Sequence, residues 1–496
     1  MNIRSALAAT ILLTCLAVGL LVPSASQRLH LGSSSRSGIF LGTEILEGRI
    51  PVTHARNAQM VETELSCNPV PCTLSNVSAS PKGWVVSENP IAVDPTNENN
   101  LITGANDLTC QSVLAYFVTT DGGKKWSGGC GAIAPGAVHG FGDPVVGYDL
   151  HGNVYQGGIN LTSDGSREIV VAKSTDHGKT WALPVVATQI PSLLGDKPWL
   201  QADTNPNSPF ANRIYVSSTQ FDANSNTYIY VAYSADSGST WTNVVASPEA
   251  LSPNVVEGSD IAVGSDGTVY LSYMYCHPHK GSTDCADGFA TMYVTKSKDG
   301  GATWSTPVAT HIERVAPPGG CPYYGCLPNT VQRVPNIPVI AIDNSNGPYA
   351  GRLYVVDYDW TGTFMQIRIA QSSDGGDTWS KPVSVTPRTD RHDQFMPWVS
   401  VSTSGLVGVT WLDRRNDPNN INYQAFAAVS TDGGKTFPSN QQLATVASNP
   451  FDDGLGGGAL GDYRCSTWVG AKKLVVAWPD TRNNKYARDE IGGLEQ

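Results

Sequence analysis

The sequence predicts an all-β fold, a β-propeller of four-stranded blades, and three observations carry that expectation. Short alternating runs such as "TVYLSYMY", "RLYVVDYDW" and "LVGVTWLD" are bounded by Gly, Asn and Asp, the pattern of half-buried strands between tight turns. A polar box, Ser/Thr-x-Asp-x-Gly-x-x-Trp/Phe, recurs six times at intervals of 55 to 75 residues. A strand–turn–strand hairpin recurs seven times, interleaved with the boxes. Repeats of this length, each worth four strands, are the signature of blades around an axis.

Along the 496 residues the first feature is a candidate leader at 1–26, with Arg4 as the positive start, Ala6 to Val22 as an apolar core and Ser24, Ala25 and Ser26 as small residues suited to cleavage. The expected organisation is a signal peptide at 1–26, an N-terminal segment at 27–86 and the propeller at 87–496. A secreted protein, extracellular or periplasmic, follows, with no membrane insertion because no later run of 18 apolar residues exists. Export makes disulfides the natural reading of the close cysteine pairs Cys67 with Cys72, Cys110 with Cys130, Cys276 with Cys285 and Cys321 with Cys326. Cys465 is left over. The pairs lack recurrent zinc-ligand spacing, and the boxes lack the further oxygen ligands of a calcium loop, so no metal and no cofactor is read from the sequence. A formal charge of −11 argues against a nucleic-acid partner. The remaining expectation is a monomer that meets a carbohydrate.

The boxes begin at Thr119, Ser174, Ser234, Ser297, Ser372 and Ser430. Each has a structural role that needs no ligand: the Asp accepts backbone N–H groups two residues on, Gly permits positive φ, the hydroxyl bonds across the turn, and the Trp packs between sheets. The hairpins begin near Pro90, Pro144, Pro198, Ser259, Pro338, Pro397 and Asp462. In this frame a hairpin is the inner pair of strands of a blade and a box is the turn between the outer pair. Seven hairpins against six boxes point to seven blades, six being the alternative. The tail after the last hairpin is too short to complete a blade, so a strand from before residue 87 is expected to complete it.

The six boxes resemble the Asp-box (BNR) repeats of the sialidase superfamily over roughly residues 85 to 485. The resemblance implies that the boxes sit at the periphery, away from a catalytic face where the first inner strands begin and the second ones end. Those ends carry Asp107, Asp357, Asp359, Asp413 with Arg414 and Arg415, and Asp480 with Arg482. The beginnings carry Asp143, Asp196 with Lys197, Glu257, Asp260, Asp393, and Asp462 with Tyr463 and Arg464.

For a sialidase-like glycosidase the resemblance implies arginines gripping a substrate carboxylate, a tyrosine nucleophile and an aspartic acid/base. The catalytic candidates are Asp413, Asp480, Tyr463 and Asp462, with Tyr463 as nucleophile and Asp413 or Asp480 as acid/base. Arg333, Arg414, Arg415, Arg464 and Arg482 are the binding candidates, joined by Tyr323 and Tyr324 in a loop expected to be clamped by Cys321 and Cys326. His139, and His277 with His279, occupy further loops. The family's Arg-Ile-Pro opening is not reproduced: "FMPWVSV" keeps Pro397 but has Phe395 where the arginine would stand, and "GRIPV" at 48–52 has no box hairpin after it. The leading expectation is an exported hydrolase cleaving a terminal, acidic or otherwise polar sugar at the axis. The alternatives are a non-catalytic propeller that binds a glycan or a protein, and a polysaccharide lyase.

Overall fold

Strand after strand pairs antiparallel with its sequence neighbour, as alternating runs joined by short Gly-rich turns dictate. The computed structural model describes residues 58–59 and 65–496, except 189–193, 278–287, 316–324, 388, 456 and 459. The expected leader and "GRIPV" lie outside the described residues. Among the described residues the only helical element is a 3₁₀ turn at Pro450–Asp452, and no helix is long and apolar enough to cross a membrane.

The chain is all-β. Its first unit runs Ile91–Val93, Leu101–Asp107, Leu114–Thr119, Ser127–Cys130, and the second Ala137–Tyr148, Val154–Thr162, Arg167–Ser174, Val185–Thr188. Next come Leu194–Ala202, Ile214–Phe221, Thr227–Ser234, Thr242–Val245, then Val255–Val263, Val269–His277, Phe289–Ser297, Val308–Arg314. Two further units are Val339–Ile342 to Val383–Ser384 and Gln394–Val401 to Asn440–Gln442. In the last sheet Ser466–Val469, Lys473–Asp480 and Arg488–Glu495 pair in order, and the outer position beside Arg488–Glu495 is filled by Cys72–Thr73 and Val77–Ser78.

The first strands touch one another in succession, Ile91–Val93 against Ala137–Tyr148 and so on through Gln394–Val401 against Ser466–Val469, which in turn lies against Ile91–Val93. Between them the core is aliphatic and aromatic. Trp199 and Trp398 meet with ring centres 4.6 Å apart, and Tyr463 packs edge-on against Trp199 at 6.0 Å. Polar side chains tie the two ends of the chain as well: Asn89 donates to Asp489, 400 positions away, at 3.0 Å, and Thr103 donates to the other oxygen of Asp489 at 2.8 Å.

Four first strands share one irregularity. Their ladders gain an extra residue at Asp143–Pro144, Lys197–Pro198, Gly258–Ser259 and Met396–Pro397, and the leading residue has φ of 59°, 45°, 68° and 50° respectively. A bulge re-aims its side chain, and a left-handed Asp, Lys or Met is a strained conformation that the surroundings must hold. Glu88, at φ 56° just before Asn89–Pro90, takes the same turn one residue earlier.

Each box closes on itself. In "SSDGGDTW" the Ser372 hydroxyl donates to Asp374 at 2.8 Å and accepts from the Gly376 amide at 2.9 Å, while Asp374 accepts the Thr378 amide at 2.9 Å. The carboxylate therefore reaches an amide four residues on, not two as expected, because the Ser hydroxyl already spans the near side of the turn. The same bonds recur at Asp176, Asp236, Asp299 and Asp432. Hydrogen bonds from the Thr378 side chain and amide hold the Asp374 carboxyl down at about 2. Trp379 donates its indole N–H to Gly376 at 3.2 Å and so pins the turn to the strand after it.

Cys67–Cys72 and Cys110–Cys130 are disulfides, Cys276 and Cys326 are disulfide-bonded as well, and Cys465 is free and buried. Cys285 and Cys321 lie outside the described residues.

A chain starting at Gly83 leaves Arg488–Glu495 without its outer partners and is expected to unfold at a clearly lower urea concentration than a chain starting at residue 60; equal midpoints would contradict this. Because the box carboxyls lie below their unfolded value of about 4, their contribution is complete above that pH and is lost as pH falls toward 2. Asp374→Asn should therefore flatten the acid limb of a circular-dichroism stability curve.

Candidate functional site

The bulged strand starts deliver an unusual concentration of charge to one place. Asp143 accepts the Lys197 amide at 3.1 Å, and its own amide donates to Asn106 at 2.9 Å. Asn106 in turn donates to Glu88 at 2.9 Å, and Glu88 accepts the Asp462 amide at 3.1 Å. Arg333 grips Asp462 through Nε at 3.0 Å and through Nη2 on the second oxygen. The Lys197 ammonium stands 3.8 Å above the Tyr463 ring and 5.2 Å from that of Trp199. Five stretches of chain thus converge on a patch of carboxyls and cations over an aromatic floor of Trp199, Trp398 and Tyr463.

Burial decides the protonation of this patch. Removal from water pushes the Glu88 carboxyl up to about 7, reinforced by the neighbouring Asp462 charge. Burial, then the charges of Glu88, Asp196 and Asp462, puts Asp143 well above the carboxylate range. Asp260, which accepts the Ile261 and Ile340 amides at 2.8 Å each, is pushed up to about 7 by burial. Burial lowers Lys197 and Arg167 and raises Asp196. Five carboxyls (Glu88, Asp143, Asp196, Asp260, Asp462) face three cations (Lys197, Arg167, Arg333), so the patch holds protons at neutral pH instead of carrying its full negative charge. A proton held near neutrality beside a carboxylate with its own guanidinium partner is the pairing that general acid–base chemistry needs.

Of the sequence-derived candidates, Asp462, Tyr463 and Arg333 belong to this patch, with Asp143, Asp196, Lys197 and Asp260 from the wider set. Tyr463 is not poised as a nucleophile: its hydroxyl donates to the Pro144 carbonyl at 2.7 Å, and burial holds the phenol well above its usual value. Asp413 and Asp480 are likewise committed elsewhere. Each accepts the indole N–H of the Trp two residues before it, Trp411 at 2.6 Å and Trp478 at 3.0 Å, and pairs with the Arg two residues after it, Arg415 at 2.5 Å and Arg482 at 2.7 Å. "WLDRR" and "WPDTR" are two copies of one strand-end brace. Arg482 also reaches Glu490 at 3.1 Å, and Arg415 lines a surface pocket with Pro387, Phe437 and Asn440.

Arg414 is fully buried, donating to the Pro328 carbonyl at 2.6 Å beside Asp393 at 3.5 Å. Arg464 is fully buried too, none of its guanidinium nitrogens has a hydrogen-bond partner among the described residues, and burial brings it down to about 9. Neither side chain is open to a ligand. Asp107 bonds within its own turn to Thr109, Glu257 is buried, and Asp357 and Asp359 lie with His311 and Arg368 in a separate group. His139 bonds the neighbouring Gly140 carbonyl at 2.7 Å. Tyr323, Tyr324 and His279 lie outside the described residues. Glu88 was missed because it precedes its proline by two positions instead of one. Its signal was the phrase "ENP", set against "DP" at Asp143 and "KP" at Lys197.

No family model matches the chain, and no curated protein sequence matches it. Among solved structures it is similar to the Hadza microbial sialidase Hz136, at 16% identity and TM-score 0.44, covering 66% of this chain and 63% of that one. It is also similar to the intramolecular trans-sialidase of Ruminococcus gnavus, at 14% identity and TM-score 0.47 over 71% of this chain and 96% of that one. A third is the GH93 α-L-arabinofuranosidase of Fusarium graminearum, at 14% identity and TM-score 0.48 over 85% and 97%.

Raised carboxyls cost stability when they ionise, so the sign is opposite to that of the boxes. The folded state holds the Glu88 and Asp260 protons up to about 7, whereas the unfolded chain releases them near about 4. Stability is expected to fall as pH rises from about 4 to about 7. Denaturant midpoints across that window check it, and Glu88→Gln should reduce the slope; a protein whose stability rises through the window would refute the assignment.

Proposed function

We propose that this chain is a seven-bladed β-propeller, exported, acting as a monomeric glycoside hydrolase on a terminal sugar at the axial patch. The blade number is supported by the return of Ser466–Val469 to Ile91–Val93 and by the pairing of residues 72–78 with the C-terminal strand. Disulfides are in keeping with an oxidising compartment. The substrate class comes from the resemblance of the six boxes to those of the sialidase superfamily.

One observation carries the chemistry: Glu88 and Asp143 are joined through Asn106, Glu88 accepts the Asp462 amide at 3.1 Å and Asp462 is gripped by Arg333, all in a setting whose burial raises Glu88 and Asp143. In this reading Glu88, which burial keeps protonated up to about 7, protonates the leaving oxygen. Asp462 supports the positive charge that develops on the sugar ring until water adds to the anomeric carbon and returns a proton to Glu88, and Arg333 fixes the orientation of Asp462. The arginines sought for a substrate carboxylate are spent on Asp413, Asp480 and buried positions. A neutral sugar therefore fits better than a sialic acid.

A non-catalytic reading is favoured by one fact, that Glu88 and Tyr463 are almost sealed, at 1% and 3% exposure. The two readings part on turnover. A panel of chromogenic neutral glycosides and sialosides should show hydrolysis of a neutral member, with kcat/KM declining above pH about 7. Glu88→Gln and Asp462→Asn should each lower kcat by about 10² or more, while Asp413→Asn lowers stability and leaves turnover measurable. Glycan binding without turnover on any substrate would establish the platform instead, and turnover confined to sialosides would reverse the choice of sugar.

A further inference from the structure

A second buried group lies away from the axial patch, where the outer strand Val308–Arg314 of one sheet meets the second strand Leu353–Trp360 of the next. His311 Nε2 lies 2.5 Å from Asp357 Oδ2, and one donor atom each from His311, Glu313 and Asp357 falls within 4.8 Å of the others. The side chains are 5%, 6% and 0% exposed respectively. Asp357 Oδ1, attached to the same carboxyl carbon as the bonded oxygen, is buried and has no hydrogen-bond partner among the described residues. A wholly buried carboxylate with one orphaned oxygen is costly unless something positive completes it.

The charges around it leave room for that completion. Glu313, Asp357 and Asp359 bring three carboxyls, against which stands Arg368, with Nε 3.4 Å from Glu313 and Nη1 3.6 Å from Asp359. Arg368 spends a third nitrogen on the Pro382 carbonyl at 3.0 Å. Three carboxyls and an imidazole thus face one guanidinium, a surplus of ligand atoms that a divalent cation can take up. The imidazole is also held in a suitable orientation, because Nδ1 lies 2.9 Å from the Thr310 hydroxyl and this leaves Nε2 facing the carboxylates. Such an outer partner is what fixes the ring of a metal-bound histidine.

We propose that His311, Glu313 and Asp357 form a divalent-cation site that clamps these two neighbouring sheets together, and that its cation is of the zinc type. An imidazole nitrogen with two carboxylates is a donor set for zinc, whereas calcium and magnesium favour all-oxygen shells. Binding requires the His311–Asp357 contact to open by about 1 Å, so that both atoms lie at about 2.0–2.2 Å from the ion. The proposal is independent of the glycosidase reading, since none of the three residues belongs to the axial patch.

The test is calorimetric titration of tag-free, chelator-stripped full-length protein with zinc sulfate, with calcium chloride as a parallel arm. One zinc equivalent per chain is expected, together with a raised thermal midpoint. His311→Gln and Asp357→Asn, each checked for native circular dichroism, should weaken binding at least tenfold, while His139→Gln should not. Cobalt(II) loading gives a second readout, visible bands of a nitrogen–oxygen site that His311→Gln abolishes. Stripped wild-type protein that takes up no zinc, or zinc bound equally by the His311 and Asp357 variants, would overturn the site. Calcium bound more tightly than zinc would overturn its metal assignment.

Discussion

The pairing of residues 72–78 with Arg488–Glu495 joins the two ends of the described chain, and much of the remaining architecture depends on it. Without it the C-terminal strand would present a row of unpaired amides and carbonyls at a sheet edge. Asn76 shows how tightly the two ends are knit: it donates to the Leu443 carbonyl at 3.0 Å and accepts from the Thr445 amide at 2.8 Å and from Arg482 at 3.1 Å. The first and last repeats then meet directly, the Cys465 amide donating to the Asn89 carbonyl at 3.0 Å. Only because of that meeting can Glu88 and Asp462, 374 positions apart, share a hydrogen bond.

The axial patch is built by backbone geometry before side-chain chemistry. Asp143 and Lys197 are carried by left-handed residues that immediately precede a proline, a combination the chain would not adopt in isolation. The neighbouring first strands hold the turns in place, and the turns aim the side chains inward. Packing then removes water, and removal of water moves protons: carboxyls that would be charged on a surface retain theirs. The two effects are linked, since a straight strand would present these side chains to its neighbours and not to the patch.

The periphery follows a different logic. Each box satisfies its own polar groups within about eight residues, so its conformation depends little on what lies beyond the next strand. The strand-end braces of Trp411–Asp413–Arg415 and Trp478–Asp480–Arg482 are equally local, with donor, acceptor and countercharge all falling in one short stretch. Such short arrangements look functional in a sequence because they concentrate Asp and Arg. In the fold they are supports, with the aspartate already occupied.

Features that depend on short range were legible from the residues alone: the all-β character, the six boxes, the hairpins and the two short-range disulfides whose partners are described. The residues also pointed to Asp143, Asp196, Lys197, Asp260, Arg333 and Asp462 as groups at strand starts. They did not reveal that Glu88 joins them, that Tyr463 bonds Pro144, or that Arg414 and Arg464 are buried. Those outcomes belong to the packed molecule, because the direction of a side chain at a bulge and the water around a carboxyl are set by strands hundreds of residues away.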